Sequence, residues 1–296
     1  MKYVITGGAG HISKPLALTL LKAGHQVTVV GRNAQNLTAL TGAGATAAIG
    51  SLEDEAFLQE TFKGADAVYT MVPPMHNPNN WKAEIGVIGE KYARAIKAAG
   101  IKYVVNLSSI GAHLPDGVGP VSGLYLVENA LNKLTDVNIL HLRPAYFYHN
   151  LLANISLIRQ AGIIGANFSL PDGRFPIVHP ADIAAVAAEE LLKLSFTGHG
   201  IRYIASDETG TQQIASTIGQ AIGKPDLPWV AFTTDQAVQG MTGAGLPLEI
   251  ARNYAEMNEA LGSGKMTEDY WINRPALAPT RLGSFVKEFA AAYRAE

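Results

Sequence analysis

Lys2-Tyr3-Val4-Ile5-Thr6-Gly7-Gly8-Ala9-Gly10-His11-Ile12-Ser13 opens the chain with an apolar strand that runs straight into glycines. A strand ending at Thr6 has to turn sharply into a helix starting near Gly10. Glycines at 7 and 10 permit positive φ and let backbone N–H groups come close to a bound anion. The first turn of the following helix then aims its unpaired N–H groups and the positive end of its dipole at that anion, as a dinucleotide's diphosphate requires. The third small position of such a turn is Ser13, still small enough for helix and strand to pack closely.

A second apolar strand, Gln26-Val27-Thr28-Val29-Val30, ends in Gly31-Arg32-Asn33. Dinucleotide sites that take NAD place an acid about 20 residues beyond the glycines to hold the ribose 2′-OH. Here no Asp or Glu occurs before Glu53, and Arg32 stands at the strand end. A guanidinium there matches a 2′-phosphate through forked, charge-assisted contacts, so NADP(H) is expected over NAD(H). A solvated loop Arg beside a plain turn is the bland alternative. It leaves unexplained why strand, glycines, helix and second strand come in that order.

Strands and helices continue to alternate along the chain, as in repeated βαβ units. Strands are expected near 2–6, 26–30, 45–49, 66–71, 103–107 and 138–142, with helices near 11–23, 34–40, 53–62, 81–99 and 122–134. Such near-continuous apolar strands predict an α/β fold, a doubly wound parallel sheet of the Rossmann type. Ligands on these sheets lie at the carboxyl ends of the strands, which gathers residues 7–13, 32–33, 71–76, 107–113 and 143–150 at one cleft. Thr6, Gly7, Gly10, His11, Ile12, Arg32 and Asn33 are expected to bind the cofactor, with Arg32 on the 2′-phosphate. Met71, Val72, Pro73 and Leu107 are expected nearer the nicotinamide. Val72-Pro73-Pro74-Met75 reads as an apolar wall that suits an aromatic substrate or simple loop packing.

After residue 150 the alternation loosens. The division expected is 1–150 for the nucleotide domain, with later strands from about 176–206 added to its sheet, and 151–296 for a smaller, mostly helical substrate lobe. Helices are expected near 181–194, 211–222, 247–261 and 281–294, and a surface loop over 262–279.

The 296 residues are 48% hydrophobic and 16% charged, ample for a buried sheet. A net charge of −2 gives no basis for binding nucleic acid or acidic membranes. The absence of cysteine excludes disulfides and thiolate chemistry. No apolar run has the length of a signal peptide or a membrane span, so the chain reads as cytoplasmic. The eight histidines show no pairing at helical metal spacing, and no zinc site is expected.

Several stretches together resemble the NmrA-like branch of the atypical short-chain dehydrogenases/reductases. They are the opening glycine turn, Gly31-Arg32-Asn33, Asn106-Leu107-Ser108-Ser109-Ile110-Gly111-Ala112, the Arg143-Pro144-Ala145-Tyr146-Phe147-Tyr148-His149-Asn150 element, and Pro180-Ala181-Asp182-Ile183-Ala184. The resemblance spans almost the whole chain. It implies a Rossmann fold, NADP(H), and either reduction of quinones, dyes or related acceptors or a catalytically silent nucleotide-sensing role. It also implies that Arg143, Pro144 and Tyr146 border the nicotinamide and that Asp182 ties the lobe to the sheet.

One departure matters. Ordinary members of the superfamily use a Tyr followed four residues later by Lys. No Tyr here has that partner; Tyr125 is followed by Asn129, and aligning Glu128 with the usual Glu puts the pair's positions at Pro120 and Leu124. A phenol at its usual pKa of about 10 is a poor base at neutral pH. The reading is therefore hydride transfer to a quinone-like or conjugated aromatic acceptor without that dyad. A silent NADP(H)-sensing protein acting through partners is the alternative, and a sugar epimerase is disfavoured by the same missing pair. Ser108 and Ser109 either bond a substrate oxygen or cap their loop, Tyr125 either donates to substrate or packs, and His76 and His113 are loop residues that can relay a proton. A second copy of the chain or another protein remains a possible partner.

Overall fold

The period of two along the first strand decides the layering. In the computed structural model, which describes residues 1–295, Tyr3 and Ile5 pack on one face of the central sheet and Val4 on the other. The elements run β1 (Lys2–Ile5), α1 (Ser13–Lys22), β2 (Gln26–Gly31), α2 (Thr38–Gly42), β3 (Thr46–Ile49), α3 (Glu55–Phe62), β4 (Ala67–Thr70), α4 (Trp81–Ala99), β5 (Tyr103–Leu107), α5 (Val121–Leu131) and β6 (Asn138–Pro144). Next come β7 (Tyr146–Phe147), α6 (Ile155–Ala161), β8 (Ile164–Ala166), β9 (Phe175–Val178), α7 (Pro180–Lys193), β10 (His199–Ile204) and β11 (Asp207–Thr209). The chain continues through α8 (Thr211–Ala221), β12 (Trp229–Ala231), α9 (Thr234–Gly243), α10 (Leu248–Gly262), α11 (Glu268–Ile272) and α12 (Leu282–Ala295).

Seven parallel strands form the main sheet in the order β10-β6-β5-β4-β1-β2-β3. The chain reverses direction across the sheet between β1 and β4, which places a crevice above their carboxyl ends. One face carries Leu16 and Leu20 of α1 and Ile183 and Ala187 of α7; the other carries Leu58 of α3, Ile88 of α4 and Val127 of α5. Caps fix several helix ends where the sequence places them. Asn80 accepts the Ala83 N–H at 3.1 Å to start α4, and Gly100 ends it at φ +67°.

Within the expected 176–206 stretch only β10 joins the main sheet. β9 instead pairs with β7 and β11 in a separate three-stranded sheet, and β8 pairs with β12. The expected loop over 262–279 is a correction: it contains α11, and Met266, Thr267 and Tyr270 are buried. The Gly and Pro residues that bracket the stretch concealed a short helix held by aromatic packing, with Tyr270 edge-on to Tyr203 at 5.8 Å. Asp182, near the start of α7, does tie distant segments together. Its carboxylate accepts Ser206 Oγ at 2.6 Å, Thr280 Oγ1 at 3.0 Å and the Thr280 N–H at 3.1 Å.

A polar line crosses the sheet interior. Thr70 Oγ1 donates to Asn106 Oδ1 (2.9 Å), Asn106 Nδ2 to His141 Nδ1 (3.1 Å), and His141 Nε2 to Asn132 Oδ1 (3.0 Å). His141 is thereby held neutral: its Nδ1 faces a donor and has no room for a proton. Burial, reinforced by Arg143 and opposed by Glu128, pushes its pKa down to about 4. The unfolded chain takes up a proton near pH 6.5 while the folded chain does not until near 4, so acidification through that window favours unfolding. This group alone contributes a loss of about 1.4 kcal/mol per pH unit within the window. Urea midpoints measured at pH 7.5, 6 and 4.5 will fall accordingly. His141→Gln, which keeps one acceptor and one donor but has no proton to gain, will fall less steeply.

Candidate functional site

The turn after β1 is stitched by its own side chains. Gly10 N–H bonds Gly7 O at 3.2 Å, and Ser13 Oγ donates to Thr6 O at 2.9 Å. The Thr6 hydroxyl donates to Tyr69 O at 3.2 Å and accepts the Met71 N–H at 3.0 Å. Thr6 thus joins the ends of β1 and β4, with its hydroxyl already engaged by backbone. Gly7 has φ +90°, and a Cβ there would sit 2.6 Å from Ser13 Oγ and 2.9 Å from Met71 Cγ and Sδ. The start of α1 has neither a side-chain cap nor an acid in its first turn, which leaves its amide groups and dipole available to an anion.

This turn opens on a cavity of about 830 Å³ at the crevice between β1 and β4. Gly7, Gly10, Arg32, Asn33 and Pro73, all expected from sequence, line it together, and so does His76. Arg32 is exposed and forms no hydrogen bond or ion pair among the described residues. Asn33 Oδ1 accepts the Gln35 N–H at 2.8 Å, which shapes the loop beside it. The proline pair and Met75 form an apolar stretch of the same wall.

The sequence reading missed Asn36, Ser51, Glu53 and Glu84, which line the same cavity. Ser51 and Glu53 come just after β3, whose carboxyl end faces the same rim, but the strand's weakly apolar sequence marks that end poorly.

The remaining expected residues do not line this cavity. Ile12 is in the core, and Leu107 and Pro144 are buried at the ends of β5 and β6. Met71 lies over Gly7 and Val72 packs against the second core layer. His11 projects from the other side of the turn, its ring edge-on to His149 at 4.8 Å. Tyr146 sits among aromatic rings, 5.2 Å from Phe175 and 6.4 Å from Phe168 between centroids, and burial raises its phenol pKa. It therefore holds its proton.

Ser108 is committed elsewhere. Its hydroxyl donates to Glu128 Oε1 at 2.5 Å, and the same carboxylate takes Arg143 Nε at 3.0 Å and Nη2 at 2.6 Å. Arg143 Nη1 continues to Tyr203 OH at 3.1 Å and Asp269 Oδ2 at 3.3 Å, and Tyr203 bonds Asp269 in turn. Ser108, Glu128 and Arg143 are each 4% exposed. Burial alone lowers the Arg143 pKa, but Glu128 outweighs it and keeps the guanidinium charged. Ser109 Oγ donates to its neighbour's carbonyl, Ile110 O, at 3.0 Å. Tyr125 lines a separate pocket of about 290 Å³ with His113, Asn132 and His199. Pro120 precedes α5 and Leu124 lies within it, so the helix that would carry a Tyr/Lys pair carries Glu128 as a structural anchor instead.

Among the described residues no helix is long and apolar enough to cross a membrane. The model of the NmrA-like family matches residues 2–274. An NAD(P)H azoreductase from Xenophilus azovorans is 28% identical over 252 residues, covering 84% of this chain and 83% of that protein. Among solved structures, Citrobacter sp. triphenylmethane reductase complexed with NADP(H) superposes with a TM-score of 0.80 at 18% identity, covering 97% of this chain and 99% of that one. An Escherichia coli NADPH-dependent quinone oxidoreductase complexed with NADPH gives 0.79 at 21% identity, covering 97% and 99%. At these identities the structural likeness establishes the shared fold.

Proposed function

We propose that this chain, which belongs to the NmrA-like family, is an NADP(H)-dependent reductase acting on a quinone-like or conjugated aromatic acceptor. The observation that carries the reading is the glycine turn opening on a cavity that is also lined by Arg32, which has no partner among the described residues. The residues fit the dinucleotide: Gly7 at φ +90° packs too closely on Ser13 and Met71 for any Cβ and so makes the tight turn that brings backbone amides to the cavity, and the uncapped start of α1 suits a diphosphate. Gly7, Gly10 and the neighbouring amides would hold that diphosphate, with Arg32 and Asn33 on the 2′-phosphate. Met71, Val72, Leu107, Pro144 and Tyr146 would lie on the nicotinamide side. NADPH, when bound, supplies a hydride. Residues 1–150 would carry the nucleotide and 151–296 would form most of the substrate lobe.

The chain's own contribution is positioning. Ser108 is held by Glu128, and Tyr146 keeps its proton, so neither is arranged as a base. An acceptor that takes hydride on an electron-poor conjugated system and a proton from water needs no such base. The apolar Pro73-Pro74-Met75 wall suits a flat ring, and the azoreductase relative is named for a conjugated acceptor. The test is NADPH oxidation across quinones, azo dyes and triphenylmethane dyes, with turnover expected. No turnover across that panel, with NADPH binding intact by calorimetry, would favour the nucleotide-sensing alternative that the missing Tyr/Lys pair motivates.

Arg32→Ala tests the phosphate assignment. It will weaken NADPH binding by about 1.5–3 kcal/mol, the worth of a charge-assisted contact, and leave NADH binding nearly unchanged. Equal weakening of both cofactors in the titration would remove Arg32 from the 2′-phosphate.

A further inference from the structure

We propose that His149, His179 and Glu288 form a site for one divalent transition-metal ion of the zinc class. The three come from separate segments: the turn after β7, the residue that caps α7, and the middle of α12. Their donor atoms all lie within 4.8 Å of one another. His179 Nε2 is 3.1 Å from Glu288 Oε1, and His149 Nε2 is 3.5 Å from Glu288 Oε2. A tetrahedral zinc ion with bonds of roughly 2.0–2.1 Å holds its donors about 3.4 Å apart, so small side-chain rotations would seat it.

Two imidazoles and one carboxylate match Zn²⁺, Ni²⁺ or Cu²⁺ and do not match the all-oxygen preference of Ca²⁺ or Mg²⁺. The histidine side chains are 21% and 12% exposed while Glu288 is 53% exposed, so the site has one open side through which an ion can enter. Binding has one local consequence. His179 Nδ1 now accepts the Ala181 N–H at 3.2 Å, which leaves the ring proton on Nε2 facing Glu288. An ion at Nε2 displaces that proton and moves the ring to its other tautomer, releasing the cap.

The test uses the whole chain without a polyhistidine tag, stripped with chelator and titrated with ZnCl₂ by calorimetry, and with Co²⁺ by visible absorption. One Zn²⁺ per chain is expected, together with the visible bands of four-coordinate cobalt. His149→Ala and Glu288→Gln will each weaken binding at least about tenfold, the loss that removing even an outer partner brings. Both variants are first shown to be folded by circular dichroism. His179→Ala is avoided because it also removes the α7 cap. Absence of saturable one-to-one binding, or affinity unchanged in both variants, would overturn the site and leave the cluster as a carboxylate taking two imidazole hydrogen bonds.

Discussion

Glu128→Ala will destabilise the folded chain by about 3–5 kcal/mol, the penalty of leaving a buried guanidinium without its partner. Arg143 loses both of its charge-assisted bonds to α5, at 3.0 and 2.6 Å, and Ser108 loses its acceptor. Asp269 remains near Arg143 at 3.3 Å but is partly exposed and already bonded to Tyr203, so it compensates little. Urea unfolding followed by circular dichroism measures the loss. Glu128→Leu combined with Arg143→Leu should recover most of it, because the double variant leaves no buried charge behind. A single-variant loss under about 1 kcal/mol would mean that the pair is a weak contact of the kind found between exposed charges.

The second large effect is expected at the turn. Gly7→Ala puts a side chain at φ +90° and brings its Cβ within 2.6 Å of Ser13 Oγ and 2.9 Å of Met71. The backbone contribution is about 1–2 kcal/mol and the overpacking about 1–3 kcal/mol. To relieve the overlap, Ser13 Oγ must leave its bond to Thr6 O and the Met71 side chain must turn away, or the start of α1 and the end of β4 must shift; both elements frame the cavity proposed for the nucleotide. NADPH affinity should therefore fall by more than tenfold along with the melting temperature. Adding Ser13→Gly removes the nearest clash and will restore part of the affinity but not the backbone contribution. Unchanged NADPH binding in Gly7→Ala would show that the dinucleotide does not seat against this turn.

Legibility in the sequence divides along physical lines. The parallel sheet was legible because each strand is a short apolar run bounded by turns, and α4 because Asn80 and Gly100 mark its ends. The glycine turn, Arg32 and Pro73 were legible as parts of one cavity because strand order alone brings the carboxyl ends of β1, β2 and β4 to the same rim. Ser51 and Glu53 reach that rim too, but β3 is only weakly apolar, so its carboxyl end carries little signal. The bond between Glu128 and Arg143 could not be read off, since nothing in their spacing says that α5 lays its acid over β6. The same limit applies to Ser108, whose hydroxyl is free in sequence and engaged only once α5 is in place. At 262–279 the flanking glycines and prolines outweighed a short helix whose stability is wholly tertiary. His149, His179 and Glu288 meet only because α12 packs on the turn after β7 and Glu288 reaches the residue that caps α7, so no local histidine pattern announces them.

The carboxylate of Asp182 carries a consequence for biogenesis. Two of its three donors come from Thr280, 98 residues later in the chain. During translation α7 must therefore leave the ribosome with this acid still hydrated, and β10 must settle on the sheet edge before the clasp exists. A chain truncated just short of Thr280 would lack two of the clasp's three donors and would be looser and more protease-sensitive around α7 than the full chain.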